Sequence, residues 1–144
     1  DTIMIINEGT FITTKYNDDE IVYKASGKQM YKKNMVVLVN GMSASASEFF
    51  ASAVKENGRG EIVGKNTYGK GSIQSSFRLP GNRAVHLTIG RFYSPKGNEI
   101  NKVGVAPDFE VDNPEKYDLY DVSVIPFEED AQLKKAIELI KNKK

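Results

Sequence analysis

The 144 residues contain no cysteine, which removes disulfides, thiolate metal ligands and a cysteine nucleophile in one step. Histidine occurs once, at His86, so a Ser/His/Asp triad or a multi-histidine metal centre would have to pass through that single side chain. Charge of one sign is not in excess: 20 basic and 19 acidic residues leave a formal net charge of +1, and no summed field draws the chain onto nucleic acid or anionic lipid. Long apolar runs are missing too. Stretches such as "MVVLV" fall far short of the roughly 18 residues that span a bilayer. The sequence opens on "DTIMIINEGTF", without an initiator Met, a charged n-region or a cleavage site, and so reads as an excised fragment or a processed chain whose targeting segment lies outside it.

What is present describes a folded α/β domain. Forty per cent of the residues are apolar, with seven Tyr and seven Phe, too many for general disorder. A chain of this size folds as one domain, residues 1–144, and buries roughly 70% of its unfolded surface. In the first third, "TIMII", "TFITTKY" and "EIVYKAS" are split by the polar breaks "NEG", "NDD" and "SGKQ", the pattern of short strands and hairpin turns. "NMVVLVN" is a continuous β-branched run, which predicts a central strand buried on both faces. The period then changes. Phe49, Phe50, Ala53 and Val54 make a helical face starting around Ser43 to Ser47, with Gly58 as the stop. "GEIVG" resumes as a buried strand, and "SIQSSFRL" and "RAVHLTIGRFYSP" alternate as a hairpin across "LPGNR", with Ile73, Ser75, Phe77 and Leu79 opposite in phase to Gln74, Ser76 and Arg78. Pro95 to Asp112 reads as turns joining short extended pieces, followed by a surface crossing. Ala131 to Lys143 closes the chain as a helix with Leu133, Ala136, Ile137 and Ile140 on its apolar face.

Several stretches invite a chemical reading. Gly64, Gly69 and Lys70 hold three places of a phosphate-binding loop, but Gly71 stands where Ser or Thr would ligate Mg²⁺, and a strand pattern follows where a helix is required. Ser52-Ala-Val-Lys55 forms an S-x-x-K in mid-helix, where a helical Ser and a solvated Lys suffice to explain it. His86 alternates with Val85 and Leu87 and belongs to the less apolar face of its strand. The carboxylates show no metal-ligand spacing. In "VNGMSASASEFF" the serines have two uses. Ser43 or Ser45, with Glu48 beyond, fits helix capping. A helix N-terminus after a buried strand and a glycine turn is also where a nucleophile is placed, because free N–H groups and the helix dipole stabilise an oxyanion. Such a serine needs a base. A lysine serves only as the neutral amine, a form that burial favours by penalising the charged one. Lys70, between Gly69 and Gly71, has the backbone freedom to turn inward.

At this point "VVLVNGMSASASEFFASAVKENGRGEIVGKNTYGKGSIQSSFRLPGNRAVHLT" and "FYSPKGNEINKVGVAPDFEV" resemble the C-terminal processing peptidases, or tail-specific proteases, which are serine endopeptidases with a Ser/Lys dyad. The resemblance runs from about Val36 to "DAQLKKAIELI", about three quarters of the chain. It implies a ClpP/crotonase-like α/β core of mixed sheets packed with helices, of which this chain holds the C-terminal part and lacks the N-terminal side. The family nucleophile in S-A-S-A-S-E falls on Ser45 and the general base in T-[FY]-G-K-G on Lys70, with Gln74 supporting the lysine. Ala46 N–H falls where an oxyanion donor stands, and Glu48 matches an acidic position implicated in activity in some members. No metal or cofactor is implied. The implied partners are protein or peptide C-termini and a PDZ domain, which is not recognisable in this chain, as the family's "NPGG"-type block is not; nucleic acid is not among them. An edge left open by absent core strands would let copies exchange strands and form a homo-oligomer. The implied location is extracytoplasmic: bacterial periplasm, cell envelope or secreted. The alternative is a non-catalytic peptide-binding or scaffold module on the same fold.

Overall fold

A computed structural model describes residues 5–17, 19–27, 31–117 and 124–142. The alternating stretches of the first third fold into β1 (Thr10–Tyr16) and β2 (Asp19–Lys24), an antiparallel pair. Of the earlier stretch 2–6, residues 2–4 lie outside the described residues; Ile5 and Ile6 form no strand, although Ile6 is buried. β5 (Ser72–Leu79) and β6 (Arg83–Tyr93) make the expected hairpin, and β6 also pairs with β1. The resulting sheet has the order β2-β1-β6-β5 and is antiparallel throughout. Its alternation breaks once. Ile73 pairs with Gly90 but Gln74 with Thr88, leaving Ile89 as the extra residue of a bulge. The bulge resets the phase, so Phe92 shares a face with Val85 and Leu87.

The second sheet is parallel, with order β3-β4-β7: β3 (Val36–Val39), β4 (Glu61–Gly64) and β7 (Phe109–Glu110). This corrects the expectation for "MVVLV". The central strand is β4, whose Ile62 and Val63 are fully buried, whereas Leu38 of β3 is 41% exposed and β4 is the one strand partner of β3 among the described residues. Of the run's four strand residues only Val39 is buried, Val36 and Val37 being half-buried; an unbroken apolar run marks a strand but records neither its cover nor its neighbours, which are set by the course of the chain.

Helix α1 (Ala46–Glu56) connects β3 to β4 and starts within the expected window. Its Ala51 and Val54 join Val39, Ile62 and Val105 in a buried cluster, and burying a side chain such as Val54 stabilises the fold by about 1.5–3 kcal/mol. Phe49 reaches the other sheet, its ring centroid 5.2 Å from that of Phe92, so α1 is the shared wall of both sheets. The helix ends as its sequence predicts. Gly58 takes φ 64°, with Gly58 N–H bonded to Lys55 C=O at 3.0 Å and Arg59 N–H to Val54 C=O at 2.8 Å, the pair of bonds that satisfies the last free carbonyls.

Residues 118–123 of the expected surface crossing lie outside the described residues; a 3-10 turn, Glu115–Tyr117, precedes them. Helix α2 (Ala131–Asn142) packs on β3 and β4. Residue 143, the expected end of this helix, lies outside the described residues. Its buried face differs from the one expected: Gln132 and Ala136 are buried, while Leu133 is 36% and Ile140 44% exposed. The cause is polar anchoring at the helix start. Asp130 Oδ1 accepts the Leu133 N–H at 2.8 Å, Gln132 Nε2 donates to Val111 C=O at 2.9 Å, and Gln132 N–H donates to Asn113 Oδ1 at 3.2 Å. These bonds turn Gln132 inward and swing Leu133 out.

Candidate active site

Two loops leave the carboxyl ends of adjacent parallel strands, one from β3 into α1 and one from β4 toward β5, and they meet above the sheet, the usual place for a site in a parallel sheet. In the first loop the three serines separate by environment. Ser43 serves the turn out of β3: its Oγ accepts the Asn40 N–H at 3.1 Å, and its own N–H donates to Asn40 C=O at 2.9 Å. Ser47 is exposed within the first helical turn.

Ser45 stands apart. It is the α1 N-cap with φ 55° and ψ −114°, the first central position of a II′ turn closed by Ser47 N–H to Ala44 C=O at 3.2 Å. A residue other than glycine held there costs about 1–3 kcal/mol and persists only where surrounding bonds fix it. One such bond is from Ser45 N–H to Glu48 Oε2, 2.8 Å. Directly beyond, the Ala46 N–H has no acceptor among the described residues, and Ala46 is exposed.

Glu48 is completely buried, and its carboxylate gathers both loops. Oε2 accepts the Lys70 N–H at 2.8 Å as well as that of Ser45; Oε1 accepts the Thr67 hydroxyl and the Gly69 N–H, both at 2.6 Å. Four donors satisfy the charge that burial would otherwise penalise heavily. The Lys70 loop is braced from its far side by residues 100–105. Lys102 N–H donates to Gly69 C=O at 2.8 Å, and Val105 N–H donates to Thr67 Oγ1 at 2.7 Å. The glycines flanking Lys70 have a use beyond freedom: a Cβ on Gly71 would stand 2.5 Å from Asn101 N, and one on Gly69 3.1 Å from the Lys102 backbone.

Lys70 itself is exposed and lines a cleft of about 470 Å³ with Met42, Ala44, Tyr68, Ser72 and Asn101. Among the described residues no hydrogen bond joins its amine to Ser45 or to Gln74, and Gln74 is exposed on β5 beside the bulge. The other candidates fall elsewhere. His86 Nδ1 lies 2.8 Å from Ser76 Oγ as an exposed cross-strand pair. Ser52 Oγ donates to Phe49 C=O at 3.1 Å, and Lys55 pairs with Asp108 at 3.0 Å. β5 follows Gly71 as a strand, without the helix that a phosphate loop needs. Thr67 and residues 100–105 lie inside the stretches that carry the family resemblance, but the sequence reading gave them no role. The signal was there in Gly69 and Gly71, since paired glycines in an ordered loop mark a close backbone neighbour.

Comparison with known proteins finds a family model that spans both loops. The model of peptidase family S41 matches residues 2–111. A carboxy-terminal-processing protease of Bartonella bacilliformis is 38% identical over 128 residues, covering 85% of this chain and 30% of that protein. The chloroplastic carboxyl-terminal-processing peptidase 3 of Arabidopsis thaliana is 50% identical over 74 residues, 51% of this chain and 14% of that one. Among solved structures, a photosystem II D1 C-terminal processing protease superposes with a TM-score of 0.73 at 37% identity, covering 77% of this chain and 29% of that one. The chain therefore spans less than a third of the length of each of these relatives.

Proposed function

The chain belongs to peptidase family S41, and on that footing we propose that it carries the nucleophile and base of a serine endopeptidase that cleaves protein chains near their C-termini. The fold is the ClpP/crotonase-like α/β core of that family. Ser45 is the nucleophile and Lys70 the general base. Neutral Lys70 takes the proton of the Ser45 hydroxyl as Oγ attacks the peptide carbonyl, and the oxyanion is met by the Ala46 N–H at the start of α1. The C–N bond breaks, the Lys70 ammonium returns its proton to the departing amine, and water with Lys70 as base then releases the acyl group. Gln74 holds the amine when Lys70 swings into the cleft.

The observation that carries this reading is the shared carboxylate oxygen: Glu48 Oε2 receives the backbone N–H of both Ser45 and Lys70. A single acceptor thereby ties the backbones of the two loops that carry the proposed nucleophile and base. Lys70 is exposed in this structure, so the proposed proton transfer requires its side chain to turn toward Ser45. A PDZ domain of the whole protein would present the substrate's C-terminus, and the whole protein would work outside the cytoplasm, in line with the chloroplastic naming of some relatives.

The lack of a Ser45–Lys70 hydrogen bond among the described residues favours the alternative of a peptide-binding module with an unused dyad. Cleavage of an unfolded, apolar-tailed protein by the whole protein separates the two. Under the peptidase reading the parent protein cleaves it and Ser45→Ala and Lys70→Ala each abolish cleavage; under the other the parent protein binds it without cleaving it.

A further inference from the structure

Thr67 is buried, 4% exposed, and its hydroxyl is used twice: it donates to Glu48 Oε1 at 2.6 Å and accepts the Val105 N–H at 2.7 Å. The two oxygens of Glu48 divide their work. Oε1 is held by Thr67 and Gly69, while Oε2 joins Ser45 to Lys70. Whatever fixes Oε1 therefore fixes the rotation of the carboxylate, and with it the point at which nucleophile and base are tied.

We propose that Thr67 is a positioning residue: through its hydroxyl, the 100–105 brace sets the orientation of the Glu48 carboxylate and hence the alignment of Ser45 with Lys70. This rests on the Ser45/Lys70 reading. The hydroxyl is the essential group. Valine has the same shape but neither donates to Oε1 nor accepts from Val105, and leaves that buried N–H without a partner. Released from one side, the carboxylate rotates toward its remaining donors. Ser45 N–H and Lys70 N–H then no longer share one oxygen, and the nucleophile loses its strained but productive conformation. Binding in the cleft does not pass through Thr67, so the loss falls on the chemical step.

The test is fluorophosphonate acylation of the whole protein, with the limiting rate and the half-saturating concentration measured separately. Thr67→Val is expected to lower the limiting rate by roughly 10- to 100-fold with the half-saturating concentration unchanged, and Thr67→Ser to keep the rate near that of the parent protein. A Thr67→Val protein that acylates at the parent rate, or one altered only in half-saturation, overturns the proposal. So does an equal loss in Thr67→Ser, which would assign the effect to packing. Should Thr67→Val fail to fold, Thr67→Ala is judged by the same criteria. Labelling that persists in Ser45→Ala sinks the dyad itself and this inference with it, whereas labelling lost in Ser45→Ala but normal in Thr67→Val sinks this inference alone.

Discussion

Glu48 and Ser45 show how strain and its restraint are built from neighbouring residues. Ser45 sits at φ 55°, where glycine pays no steric cost and serine does. Ser45→Gly is therefore expected to be more stable than Ser45→Ala by about 1 kcal/mol, both being inactive; equilibrium denaturation of the two variants measures the difference. Glu48→Gln keeps the size of the side chain but replaces one acceptor oxygen with an NH₂ group that meets N–H donors. It is expected to cost at least about 2 kcal/mol and to slow acylation, measured by denaturation and by probe labelling. The residue chemistry points to a serine at the start of α1 and to Lys70 on its glycine-flanked loop, and it is the family resemblance that singles out Ser45 as the proposed nucleophile. From its own position Glu48 was legible as an acid at a helix start, and from the resemblance as an acidic position implicated in activity, but not as the anchor of the Lys70 loop. Its partners are backbone N–H groups of a loop 21 and 22 residues further on, and backbone donors leave no trace in residue identity. Thr67 opens the T-[FY]-G-K-G stretch, yet its role was not legible, since a buried hydroxyl and a turn threonine look alike in sequence.

At the scale of elements, periodicity located the strands and helices but not always their surroundings. α1 and the β5–β6 hairpin followed from alternation and capping. β3 is neither central nor fully covered, because an apolar run fixes neither a strand's neighbours nor its cover, and α2 turned its buried face because Asp130, Gln132 and Asn113 outweigh a leucine at its first turn. Two expectations follow from these roles. Ile62→Ala on β4, fully buried between α1 and its strand neighbours, is expected to cost about 2–5 kcal/mol. Asp130→Ala removes the α2 cap and is expected to cost about 0.5–2 kcal/mol, with the loss concentrated in faster amide exchange along α2.

Across the whole molecule, α1 is the joint on which everything else depends. It is packed against both sheets, its N-cap Ser45 is the candidate nucleophile, and its Glu48 reaches across to the loop of the candidate base. Ordering the site is thus the same event as docking α1 between the sheets, and variants that loosen the core beneath it should weaken acylation along with stability. The most direct measurement is to label the whole protein with a fluorophosphonate and locate the adduct by peptide mapping. The proposed chemistry predicts one adduct, on Ser45, lost in Lys70→Ala while that variant stays folded. An adduct on another residue, or undiminished labelling of Ser45 in Lys70→Ala, would contradict it.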